Sequence, residues 1–140
     1  VFKIMSEKKM INYTGSCICG AIKFTVDIDE KPRVFNCHCI DCRKKVGGII
    51  TIIQLRDNAL KIDENKLEKY THKGGSKKTI IKSFCKICAA PITTFVEKWG
   101  VSYLYAGLLD DLSLLKESKN IFYENSHFPF LEIKEKGLKI

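Results

Sequence analysis

The sequence predicts an all-β domain of about eight short strands with little helix. Three observations carry this reading. Apolar runs either alternate with polar residues or are apolar on both faces, and glycine, proline or asparagine interrupts them before a helical repeat develops. Candidate helix is confined to a turn after one cysteine cluster and a short stretch late in the chain. The seven cysteines fall in tight groups, Cys17-Ile18-Cys19, Cys37-His38-Cys39-Ile40-Asp41-Cys42 and Cys85-Lys86-Ile87-Cys88, which are the spacings of metal knuckles.

Residues 1–11 are expected to be a poorly ordered segment, and 12–140 a single domain. Residues 12–16 lead into Cys17 and Cys19, flanked by Gly15 and Gly20, which let the backbone turn tightly around a metal. Residues 21–28 alternate, with Ile22, Phe24, Val26 and Ile28 on one face and Lys23, Thr25 and Asp27 on the other, the pattern of a half-buried strand. After a break at 29–32, residues 33–36 form a short extended run that delivers Cys37. In an extended Cys37-His38-Cys39 the two sulfurs share a side and His38 points away, so His38 reads as a packing or supporting residue rather than a ligand.

Residues 41–45 form one helical turn ended by Gly47 and Gly48. Residues 49–55 are apolar on both faces and belong inside a sheet. Weaker strands follow at 60–62 and 67–71, then a basic hairpin loop at 73–78, where Lys73, Lys77 and Lys78, together with Lys82, read as a wetted surface. Residues 79–84 enter the knuckle at Cys85 and Cys88, and 91–96 leave it. A strand at 101–106 carries Tyr103 and Tyr105 on one face, close after Trp99, a pattern read as core or sheet surface. A short helix is expected at 110–115, and terminal strands at 121–123 and 131–133, separated by Pro129.

At 140 residues with 45% hydrophobic content, the chain has material for one core. An odd cysteine count argues against a disulfide framework and for a reducing, cytoplasmic compartment. No apolar run reaches the length of a signal or membrane segment, so no membrane association is expected. The formal charge is +8; seven thiolates and two zinc ions would reduce it to +5. Lysine supplies 21 of the 24 basic residues, which suits a solubilising surface better than a phosphate-reading one and argues against a nucleic-acid partner. Oligomeric state is not legible.

Two distant pairs, Cys17 with Cys19 and Cys85 with Cys88, make a closed four-thiolate zinc site. Cys37, Cys39 and Cys42 make a second site one ligand short of a tetrahedron, open to water or an incoming thiol. The first reads as structural, the second as chemical.

Taken together, residues 15–24, 37–44 and 84–88, with the glycine-and-aspartate turn at 106–111, resemble the glutathione-dependent formaldehyde-activating enzyme family, which also contains centromere protein V. The resemblance implies the family's zinc-pinned pair of antiparallel sheets, the β-tent, with one or two helical turns. It implies two Zn(2+) per chain, a structural ion on Cys17, Cys19, Cys85 and Cys88 and a catalytic one on Cys37, Cys39 and Cys42. It further implies a carbon-sulfur lyase or synthase that joins glutathione, or a similar small-molecule thiol, to formaldehyde, giving S-hydroxymethylglutathione. Asp41, His38 or water could bring the proton, although Asp41 is read first as a cap on the following turn, and Arg43 is the candidate to hold a substrate carboxylate.

Two positions depart from the family pattern. Ala89 and Ala90 stand where many members have glycine after the second knuckle, so a positive φ there would strain alanine. Phe130 follows Pro129 where many have tryptophan. The alternative to an enzyme is a non-catalytic zinc-binding interaction module; an iron-sulfur or redox cluster is disfavoured because no fourth cysteine lies near the three.

Overall fold

The alternating run at residues 21–28 becomes a strand whose four apolar side chains, Ile22, Phe24, Val26 and Ile28, are all buried. The surrounding architecture comes from a computed structural model that describes residues 9–125. In chain order the elements are β1 (Met10–Ser16), β2 (Lys23–Asp29), β3 (Val34–Cys37), α1 (Ile40–Val46), β4 (Ile50–Gln54), β5 (Leu60–Lys61), β6 (Leu67–Lys73), β7 (Thr79–Cys85), β8 (Pro91–Val96), β9 (Val101–Tyr105) and β10 (Lys119–Ile121). Short 3-10 turns make up the remaining helix. The all-β expectation holds among these residues.

Two sheets form, one of order β1-β2-β5 and one of order β10-β3-β4-β9-β8-β7-β6. Register assigns the two faces of the large sheet. Val34, Ile53 and Leu104 are paired across β3, β4 and β9, share one face, and pack with β2 of the small sheet in the core. The other face carries Cys37, Ile50, Ile52, Tyr105, Tyr103, Thr94, Lys82, Tyr70 and Phe84, which are linked pair by pair from β3 to β6. Buried members of this second face, among them Cys37, Ile50, Val96, Val101 and Tyr105, lie outside the core cluster between the sheets. α1 crosses part of this face, its Lys45 ammonium over the Tyr70 and Phe84 rings.

Several expectations need correction. Residues 1–11 are expected to be poorly ordered, yet β1 starts at Met10, because Met10 and Ile11 continue the ladder against Asp29 and Ile28. The strand expected at 121–123 ends at Ile121, since Phe122 takes φ 53° and Tyr123–Asn125 is a 3-10 turn. The helix expected at 110–115 is a 3-10 turn, Ser113–Lys116, and the Asp111 carboxylate accepts from the Ser113 N–H at 2.9 Å. The sheets are antiparallel except where β10 joins β3 in parallel. The strand expected at 131–133, with Pro129 and Phe130, lies outside the described residues.

Candidate metal centres

The first centre stands where the two sheets meet. Cys17 follows β1 and Cys85 ends β7, so their sulfurs link the small sheet to the large one. The Sγ atoms of Cys17 and Cys19 are 3.5 Å apart, and each lies 3.8 Å from Cys85 Sγ. With Cys88, all four sulfurs lie within 4.8 Å of one another. A tetrahedron of thiolates about 2.3 Å from zinc has edges of about 3.8 Å, so the donor set and its spacing fit that ion. Backbone amides support the sulfurs, with the Ile22 N–H donating to Cys17 at 3.3 Å and the Ile87 N–H to Cys85 at 3.4 Å.

Both knuckles turn through a left-handed residue, Gly20 at φ 76° in the first and Ala89 at φ 62° in the second. The Ala89 N–H closes its knuckle on the Cys85 carbonyl at 3.0 Å. The strain anticipated for alanine at this position is therefore present.

The second centre is built by the end of β3 and the start of α1. Cys37 is buried where β3 pairs with β4 and β10, and Cys39 and Cys42 follow one helical turn apart. Their three sulfurs also lie within 4.8 Å of one another, with Cys39 and Cys42 3.0 Å apart. All seven cysteines are free thiols. Hydrogen bonding from Cys37, then Cys42, holds the Cys39 thiol well below its usual range, while the bond to Cys39 pushes Cys37 up and those to Cys37 and Cys39 push Cys42 up. A divalent cation is what lets three such sulfurs ionise together.

The cap of α1 differs from expectation. Cys39, not Asp41, caps the helix, its sulfur accepting the Cys42 N–H at 3.3 Å. Asp41 sits inside the first turn, and its Oδ2 accepts the Gly75 N–H at 3.1 Å. It therefore ties the β6–β7 hairpin to α1. The junction is tight at Gly74, where a Cβ would stand 3.3 Å from both Asp41 Oδ2 and Ile80 Cγ1 and push one of these side chains aside by a few tenths of an ångström.

His38 is buried and turned away from the sulfurs. Its Nε2 is 3.0 Å from Asn120 Oδ1 and its ring meets Tyr123 edge-on, whereas Nδ1 has no hydrogen-bond partner. Asn36 adds a second brace, donating to Ser118 Oγ at 2.8 Å and accepting from Thr51 Oγ1 at 2.8 Å. Segment 118–121 thus supports the strand that carries Cys37. Nothing in the residue types of Ser118 and Asn120 marked this role in the sequence.

Across the second face of the large sheet, α1 meets an aromatic wall. The Lys45 ammonium lies 4.8 Å from the Tyr70 ring and 5.2 Å from that of Phe84. Tyr105 is buried, and that burial, opposed by a hydrogen bond with Thr94 and reinforced by the fields of Cys42, Tyr70 and Cys37, pushes its phenol up to about 12. Arg43 is half-buried on α1, and its side chain has no hydrogen-bond or ion-pair partner among the described residues. Lys82 is also corrected. Instead of lying on a wetted hairpin it is 6% exposed, because its side chain falls on this same inner face. A surface groove bordered by Thr14, Lys23, Lys61 and Asp110 involves neither cysteine group.

Comparison with known proteins follows the same lines. A family model described as glutathione-dependent formaldehyde-activating enzyme matches residues 12–125. A Halomonas elongata protein that carries this description as its provisional name is 30% identical over 124 aligned positions, spanning 79% of this chain and 74% of that protein. The crystal structure of a Rhodobacter sphaeroides protein, 19% identical, superposes with a TM-score of 0.60 over 77% of this chain and 99% of that one. That likeness shows a shared fold.

Proposed function

Because the chain belongs to the glutathione-dependent formaldehyde-activating enzyme family, we propose that it is a zinc enzyme joining a thiol of the glutathione type to formaldehyde or a similar small aldehyde. The observation that supports this reading is the unequal pair of sulfur clusters, four gathered where the sheets meet and three at the end of β3 and the start of α1. Cys17, Cys19, Cys85 and Cys88 would hold the structural zinc, and Cys37, Cys39 and Cys42 the catalytic one. When bound to three thiolates, zinc supplies the charge that keeps an incoming thiol ionised near neutral pH.

In the condensation, the thiol sulfur bonds to the aldehyde carbon and the carbonyl π pair moves to oxygen. The proton given up by the thiol ends on that oxygen, so nothing else is consumed. The chain's part is to position and shield these atoms. Tyr105, on the face that carries Cys37, keeps its proton throughout the neutral range and offers an O–H to the developing alkoxide. Tyr70 and Phe84, with Lys45 laid over them, offer an apolar surface beside α1. Asp41, engaged with Gly75, serves by holding the hairpin against α1, and Arg43 is available to a substrate carboxylate.

The test is the rate at which the zinc-loaded protein condenses glutathione with formaldehyde, relative to buffer. The proposal expects acceleration that Cys39→Ser abolishes while the fold persists. An unchanged rate, with two metal ions bound, would identify a metal-binding module without catalysis.

A further inference from the structure

Lys82 stands where a lysine is hardest to accommodate. It is 6% exposed, in the middle of β7, with Tyr70 opposite on β6 and Thr94 opposite on β8. Among the described residues no carboxylate lies within 4.0 Å of its ammonium, and it has no hydrogen-bond partner. Its ammonium nitrogen is not sealed from solvent, so it stays within reach of an anion, whose arrival would offset the cost of a partly desolvated charge.

The neighbours of Lys82 say where that anion would be. Ile80 and Phe84, two residues to either side, share its face; Ile80 flanks the junction of Gly74 with Asp41, and Phe84 lies beneath the Lys45 ammonium. Both belong to the ground covered by α1. On the other side, Thr94 pairs with Tyr103 on β9, and the next residue of that strand on the same face, Tyr105, pairs with Ile52 of β4, the strand whose Ile50 pairs with Cys37. Lys82 therefore lies on the face of the large sheet that α1 crosses, beside the rings under Lys45 and on the same side as Cys37. The titratable groups on this face around Lys82 are Lys45 from α1, Glu68 opposite Phe84 and His72 opposite Ile80, with Asp41 at the edge already bonded to Gly75.

We propose that Lys82 is the specificity-determining residue of the thiol site, binding a carboxylate of the thiol substrate while its sulfur lies at Cys37, Cys39 and Cys42. The preferred substrate is thus an anionic thiol, and an uncharged thiol of similar reactivity is used less well. This rests on the proposed function, and the tests separate the two.

Using zinc-loaded full-length protein, the first measurement is the affinity of S-methylglutathione, which binds without reacting, and of its diethyl ester. The ester should bind at least tenfold more weakly to the unmodified protein. Lys82→Met should lose about tenfold in affinity for S-methylglutathione, with both metal ions retained, and Lys82→Arg should recover part of it. The second measurement is the ratio of kcat/KM for glutathione to that for 2-mercaptoethanol in the condensation with formaldehyde. Lys82→Met should lower this ratio about tenfold, chiefly through the KM for glutathione. Equal binding of acid and ester, or an unchanged ratio in a folded variant, overturns the role of Lys82. If neither thiol reacts faster than in buffer, the proposed reaction fails, and the binding comparison still decides whether Lys82 receives a carboxylate.

Discussion

At the four-sulfur centre, Cys17 and Cys85 are members of the core cluster and each is attached to a different sheet, while Cys19 is exposed and Cys88 half-exposed. At the three-sulfur centre, Cys39 and Cys42 are half-exposed on a seven-residue helix whose only strand-borne partner is Cys37. The same donor atom is thus used for opposite purposes. In the first centre the metal would join elements that have no continuous ladder between them, so its removal reaches the whole core. In the second, β3 is already held by β4 and β10, and α1 by its sulfur cap and the Asp41 tether. Losing its metal leaves the scaffold in place. A centre that does chemistry can afford to give up a ligand only when other contacts keep its protein elements together.

The largest effect that would break this comparison is expected from Cys85→Ser. It removes a ligand from the pin between the sheets, and the loss, about 5 kcal/mol or more, matches the whole stability of a typical domain. Circular dichroism should show a largely unfolded chain. Cys39→Ser is expected to keep the strands and most of the melting temperature, to bind one metal ion fewer, and to lose condensation activity by about a hundredfold or more, as removal of a metal's chemistry does. A variant as unfolded as Cys85→Ser would erase the distinction between the centres.

Tyr105→Phe sharpens the comparison from the side of the substrate. It removes one hydroxyl from the face that carries Cys37, and kcat should fall about tenfold, the cost of a hydrogen bond to a charged oxygen. Metal content should not change. Ala89→Gly has the smallest expected effect. It relieves a left-handed alanine in the second knuckle, partly offset by the freer unfolded chain, and should stabilise the protein by about 1 kcal/mol in a thermal melt.

Much of this arrangement is legible in the residues alone. The division of the cysteines follows from their spacing, because each tight group keeps its sulfurs within reach of one ion whatever the intervening chain does. The strand at 21–28 is equally legible, since strict alternation leaves one face to bury. What stayed hidden depends on register between distant strands. Lys82 looks like any hairpin lysine until β6 and β8 place Tyr70 and Thr94 beside it. Asp41 has the composition of a cap, but the sulfur of Cys39 reaches the helix amide first and leaves the carboxylate to Gly75. Nor could the sequence show that the segment around Asn120 returns to brace His38, a contact across 82 residues.

The most direct test is stepwise removal of metal by a chelator, followed at once by metal analysis and by circular dichroism. The account predicts two zinc ions per chain, the first released with loss of activity and an intact β-sheet spectrum, the second released only as the chain unfolds. A single ion per chain, or two ions leaving together with the fold, would contradict it.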